Sequence, residues 1–301
     1  MEDKTFKDFK GKCLYTTKGA AREYGTVGCN FYRGCPLQCS YCYNRHGITR
    51  NVLGVDHAVL DDCFTKESNR PKKYRHLSPE DYAMLVFTRE FNGKLEMLRR
   101  TGIFFSFSTD PMLEETRPLT WRAANVAVEH GVPVTILTKC AGTWTYYDWF
   151  MNQFNVHCRH LVSFGFTLTG RDDQEQGAFL RKSSNAERIL AMERLKQMGY
   201  KVWASIEPVV DFTNSLHVII LSLPYCDHYK IGLMSGTRKD YYGTPDDLDR
   251  FVTTVRKLIE GRPVTVYWKE SVRRALEPCG LLSLLEHSQF IGDGFEWFLH
   301  Q

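Results

Sequence analysis

Gly28-Cys29-Asn30-Phe31-Tyr32-Arg33-Gly34-Cys35-Pro36-Leu37-Gln38-Cys39-Ser40-Tyr41-Cys42-Tyr43-Asn44-Arg45 places three thiols within eight residues, in a C-x3-C-x2-C spacing. A short loop of this kind can wrap a cubane and direct three sulfurs at three irons, with Gly34 and Pro36 helping to set the turn. An ordinary cluster takes four cysteines, so a three-cysteine loop leaves one iron open, as a catalytic metal keeps a position for substrate. Two alternatives stand beside this reading. One is a structural zinc site with Cys29 or His46 as fourth ligand, although zinc ligands usually come as separated pairs and no second C-x2-C pair exists. The other is coincidence among ten cysteines.

Outward from the loop, short apolar runs alternate with helical patterns. Strands are predicted at 103–107, 132–138, 161–167, 202–206, 229–233 and 264–268, the second starting at Pro133 or Val134 because proline cannot donate to a ladder. Ser78-Pro79-Glu80 opens one helix with an N-cap and a first-turn proline. Ser184-Asn185-Ala186-Glu187 opens another with a capping box, and that helix ends near Gly199. Strands alternating with helices imply βαβ units, a parallel sheet and a full or partial (β/α) barrel, with the site at the C-terminal strand ends. Periodicity does not decide whether the barrel closes.

The 301 residues carry 39 basic and 35 acidic side chains, a formal charge of +4 too near balance for the broad footprint of a dedicated nucleic-acid binder. No apolar run approaches the ~18 residues of a membrane span, and Met1-Glu2-Asp3-Lys4 is too charged for a secretory apolar region, so a soluble cytoplasmic chain with reduced thiols is expected.

Cys35-x3-Cys39-x2-Cys42, with Tyr41 before the last cysteine, resembles the signature of the radical S-adenosylmethionine (SAM) enzymes. The wider pattern, Tyr32-Arg33-Gly34-Cys35 through Tyr43, resembles their branch of spore photoproduct lyases and DNA repair photolyase-like proteins. The likeness continues weakly through Thr109-Asp110-Pro111, Thr138-Lys139, Ser184 to Arg188 and Ile206-Glu207-Pro208. It implies a radical SAM barrel over residues 25–235, between an N-terminal segment 1–24 and a C-terminal extension 236–301 packing on the barrel. It also implies a [4Fe-4S] cluster on Cys35, Cys39 and Cys42, SAM on the open iron, and one-electron reduction to a 5′-deoxyadenosyl radical. The electron donor would be a flavodoxin or ferredoxin, and the substrate a nucleic acid.

Candidate SAM contacts follow. Ser108, Thr109 and Asp110 end one strand and are suited to accept from the SAM ammonium; an aspartate satisfying backbone donors in a turn is the structural alternative for Asp110. Lys139, after the next strand, suits the SAM carboxylate. Ser163 and Thr167 share a face by two-residue alternation and would meet the ribose hydroxyls if that face points inward. Glu207, at a strand end with Ser205 on its face, requires a polar partner, SAM or a neighbour. Tyr41 accompanies the cluster. Cys140 is the candidate hydrogen donor to a product radical, with a buried small hydrophobe as the plainer reading. Arg188 is expected on a helix surface. Lys72, Lys73 and Arg75 form a small basic run that suits phosphates or a solvated face, and Tyr146, Tyr147 and Trp149 suit packing more than base stacking. Three functions compete: radical chemistry on nucleic acid, radical modification of a peptide, protein or small metabolite, and a non-catalytic metal-binding module.

Overall fold

The computed structural model describes residues 8–45, 56–141, 154–169, 183–234 and 244–291. Its main sheet contains β1 (Leu14–Thr16), β2 (Val27–Cys29), β5 (Ile103–Phe105), β6 (Val134–Thr138), β7 (Val162–Thr167), β8 (Lys201–Val209), β9 (His228–Leu233) and β10 (Thr265–Trp268), side by side in that order. β1 pairs antiparallel with β2, and every later pairing is parallel. A two-stranded ribbon, β3 (Tyr32–Arg33) and β4 (Val59–Leu60), flanks the cysteine loop. All six strands read from apolar runs are present, the first ending two residues early at Phe105. β1 and β10 belong to segments that the sequence sets apart from the barrel, yet both are strands of the one sheet.

Eight α-helices are described: α1 (Asp62–Thr65), α2 (Pro79–Asn92), α3 (Leu95–Thr101), α4 (Arg117–Glu129), α5 (Asn185–Gln197), α6 (Phe212–Ser222), α7 (Pro245–Ile259) and α8 (Glu270–Leu276). The caps act as the sequence requires. Ser78 Oγ accepts from the Asp81 N–H at 3.0 Å, and Ser184 exchanges bonds with Glu187 at both ends of a capping box. Gly199 ends the α5 turn at φ +84°, a conformation that costs little only for glycine.

Alternation along the strands divides the core in two. Val134, Ile136, Phe164, Phe166, Val202, Ala204, Ile206, Tyr229 and Ile231 face the main core. The intervening Trp203 and Phe104 gather with Tyr24 into a second, inner cluster. Both faces are therefore buried, as parallel sheets require. Gly165 permits the inner packing, because a Cβ there would lie 2.2 Å from the Trp203 ring.

Six strand intervals separate β2 from β10, roughly 29 Å in a flat sheet. Yet Lys269 Nζ, just past β10, stands 4.3 Å from the ring of Tyr24, just before β2. The sheet is thus strongly curled, but β1 and β10 do not pair, so the barrel is partial. Side chains close the seam instead. Glu23 Oε1 accepts from the Tyr267 hydroxyl at 3.1 Å and the Glu270 N–H at 2.8 Å, its Oε2 lies 3.4 Å from Lys269 Nζ, and its carbonyl accepts from Lys230 Nζ at 2.7 Å. No helix among the described residues is long and apolar enough to cross a membrane.

Candidate functional site

A cavity of about 390 Å³ opens at the C-terminal strand ends, where the parallel topology directs a site. The cysteine loop forms one wall. Gly34 at φ +87° and Gln38 at φ +45° let it curl, and the Cys42 N–H bonds the Cys39 carbonyl at 3.0 Å. Cys35, Cys39 and Cys42 all line the cavity, as do Tyr41, Tyr43 and Asn44.

The turn after β5 anchors this loop. Ser108 Oγ donates to the Tyr32 carbonyl at 2.5 Å, the Phe107 N–H donates to Asn30 Oδ1 at 2.9 Å, and the Tyr43 hydroxyl donates to the Phe107 carbonyl. Ser108 is therefore spent on holding the loop and is not on the cavity wall. Thr109 does line the cavity, and its buried Oγ1 has no hydrogen-bond partner among the described residues; the same holds for Oδ1 of Asn44. Buried acceptors in this condition are costly unless a ligand supplies a donor.

Asp110 is on the wall, but both its oxygens are engaged. Oδ1 accepts from the Met112 N–H at 2.9 Å and the Thr138 hydroxyl at 2.7 Å, and Oδ2 from the Lys139 N–H at 2.7 Å. Burial raises its pKa, opposed by these bonds. The residue acts as a strand-end clamp, the structural alternative of its two sequence readings. Lys139 lines the cavity and donates to the Tyr41 hydroxyl at 2.7 Å. Thr167, at the cavity end of β7, lines it as well. Ser163 shares that inward face but sits at the opposite end of β7, donating to Thr135 Oγ1 at 3.0 Å, and does not reach the cavity.

Cys140 also falls short of the wall. Its N–H is held by Thr138 Oγ1 at 2.9 Å, and burial, then the charge of Asp110, push its thiol pKa well up. Arg188 corrects the sequence expectation outright: it is fully buried, not on a helix surface. Its guanidinium donates to the carbonyls of Lys139 at 3.0 Å, Thr167 at 2.6 Å and Ser183 at 2.6 Å, fixing the backbone that carries two cavity residues. Lys72, Lys73 and Arg75 are exposed and lie outside the cavity wall. His46, Tyr146, Tyr147 and Trp149 lie outside the described residues.

Residues missed by sequence reasoning complete the far wall. Tyr24 donates to Glu207 Oε2 and lies 2.8 Å from Ser205 Oγ; burial and the Glu207 charge raise its pKa. Lys269, 2% exposed, donates to the same Glu207 oxygen at 2.5 Å. A lysine following an alternating strand, Thr265-Val266-Tyr267-Trp268, was the available signal.

The donor set fits an iron–sulfur cluster. Burial pushes the Cys35 thiol up to about 12, so binding iron would displace its proton. All ten cysteines are free of disulfides. Among the described residues no group of three Cys, His, Asp or Glu side chains is placed to hold a metal ion. Cys29 faces the main core and is not available as a fourth ligand to the loop.

No family model matches this chain, and no curated protein matches it. Among solved structures it is similar to SuiB of Streptococcus suis, at 11% identity over 88% of this chain and 53% of SuiB, with a TM-score of 0.51. SuiB bound to S-adenosylmethionine gives 12% identity over 79% and 48% of the two chains, TM-score 0.48. SuiB bound to the precursor peptide SuiA gives 11% over 59% and 40%, TM-score 0.43. The chain spans about half the length of SuiB, and none of these comparisons points to the photolyase-like branch. At such identities the shared property is the α/β fold with its mostly parallel eight-stranded sheet.

Proposed function

We propose that this chain is a radical SAM enzyme that modifies a peptide. One observation carries the reading: three loop thiols, a lysine and two unpartnered buried acceptors surround a single cavity at the strand ends. Cys35, Cys39 and Cys42 would hold the [4Fe-4S] cluster. When bound, that cluster supplies the one-electron reduction that cleaves SAM and starts hydrogen-atom abstraction. Lys139 offers a cation to the SAM carboxylate, Thr109 Oγ1 and Asn44 Oδ1 accept from its amino groups, and Thr167 serves a ribose hydroxyl. Arg188 and Asp110 keep these strand ends in register.

Charge favours a peptide over a nucleic acid. On the cavity wall Lys139 and Lys269 are matched by Asp110 and Glu207, and the basic run Lys72 to Arg75 lies elsewhere, so among the described residues the wall carries no excess of cations for phosphates. SuiB, which shares the fold, has been solved with SAM and with a precursor peptide. The test is anaerobic reconstitution with iron and sulfide, followed by reduction in the presence of SAM. About four irons per chain and release of 5′-deoxyadenosine are expected. A wild-type protein that binds zinc instead, or binds iron without cleaving SAM, would return the loop to a structural role.

A further inference from the structure

Tyr24 and Lys269 both donate to Oε2 of Glu207, and Lys269 is further occupied by Glu23 and the Tyr24 ring. Oε1 accepts no hydrogen bond from the described residues. It lies over Gly232, where an added Cβ would come within 3.0 Å of it, so the missing side chain keeps that oxygen open. Glu207 lines the cavity with its side chain 24% exposed, beside Ala20, Ala21, Pro208, Leu233 and Met234. Around this carboxylate the buried Lys230 and Lys269 are set against the half-buried Glu23 and Glu207, so the charges balance.

We infer that Glu207 Oε1 is a substrate contact, and that it accepts a hydrogen bond from an uncharged amide N–H of a peptide. An anion would meet a carboxylate lone pair and be repelled. A second ammonium would crowd Lys269, whose charge Glu207 already neutralises. A neutral N–H donor satisfies the open oxygen without disturbing the balance, and the small apolar neighbours suit the flanks of a peptide bond. The inference rests on the proposal that the cluster-loop side of the cavity holds SAM, and moves Glu207 from the cofactor to the substrate.

The probe is N-acetylalanine N-methylamide, titrated into the protein with and without SAM by ligand-detected NMR, against the same molecule with both amide nitrogens methylated. The wild type should prefer the N–H form about tenfold. In Glu207→Gln the side-chain oxygen is claimed by Lys269 and Tyr24, which turns the amide N–H2 to the cavity and should abolish that preference. Gly232→Ala, which places a methyl beside Oε1, should block the probe by steric contact. An unchanged preference in Glu207→Gln, or tighter binding of cytidine than of the amide, would overturn the inference. So would a loss of SAM affinity in Glu207→Gln while the amide preference survives, since Glu207 would then belong to the cofactor. Failure of the wild type to bind SAM would instead defeat the proposed function, while the titration without SAM still reports on Glu207.

Discussion

The carboxylate of Asp110 stands 2.7 Å from the hydroxyl of Thr138, and through this contact the end of β5 is fastened to the end of β6. The same carboxylate takes the Lys139 N–H, so one side chain aligns the backbone on which the cavity lysine is mounted.

Asp110→Asn should therefore act first on stability. An asparagine keeps one acceptor and turns an N–H2 toward either the Lys139 N–H or the Thr138 hydroxyl. Hydrogen bonds to a charged group are worth about 1.5–3 kcal/mol, so a loss of about 2–3 kcal/mol is expected in denaturant unfolding. A variant of wild-type stability with weakened SAM binding would restore Asp110 to the role of a direct ligand.

Lys139→Met should show the opposite pattern. Lys139 makes its side-chain contact to Tyr41 inside the cavity, so its loss removes a cation while leaving the strand-end clamp in place. SAM affinity should fall roughly tenfold to thirtyfold, with iron content unchanged. Equal SAM titrations for variant and wild type would remove Lys139 from the site.

Arg188→Met should be among the most damaging single changes. The carbonyls of Thr167 and Ser183 would lose this donor, and that of Lys139, which keeps the Ser183 N–H at 3.1 Å, would lose one of two, for an expected cost of about 3 kcal/mol. Arg188→Lys should recover little, because a single ammonium cannot reproduce the planar fork. Chemical denaturation of both variants measures this directly, and a near-native midpoint for either would show the carbonyls to be satisfied in another way.

His228 makes stability pH-dependent. It is fully buried beside Thr265 Oγ1 at 2.8 Å, and burial, then the charge of Lys230, holds its pKa well below the usual imidazole value. The unfolded chain takes up the proton near pH 6.5 while the folded one stays neutral. Stability should thus be full above that pH and fall by up to about 1.4 kcal/mol per unit below it, until the folded pKa is reached. His228→Gln should flatten this part of the profile in melts from pH 7 to 5; an unaltered slope would assign the acid loss to other groups.

Apolar runs located β5 to β10 because parallel strands buried on both faces must be apolar nearly throughout. β1 and β2 escaped notice: each is three residues long, and Val27-Gly28-Cys29 becomes a strand only through its partners. The cysteines could be read because their ligand geometry is local. Arg188 could not, since the carbonyls that bury it come from other segments, at Lys139 and Thr167 as well as nearby Ser183. Tyr24 and Lys269 stand 245 positions apart, and only the curl of the sheet makes them neighbours. Lys230, a charged residue inside the apolar run 229–233, was a further written sign, beside the alternating Ser163, Thr167 and Ser205, that the inner face holds polar groups.

The barrel seam has a mechanical consequence. Between β1 and β10 there is no ladder to unzip; the seam is joined by side chains, Glu23 with Lys230, Lys269, Tyr267 and the Glu270 amide, and Tyr24 with Ser205, Glu207 and the Trp203 ring. Parting the seam breaks a handful of side-chain contacts and leaves every strand pairing intact. Amides near the Gly19–Glu23 turn should therefore exchange with solvent before those of β6 to β9. Ala20 and Ala21 of that turn border the cavity, so parting the seam would open the cavity on that side.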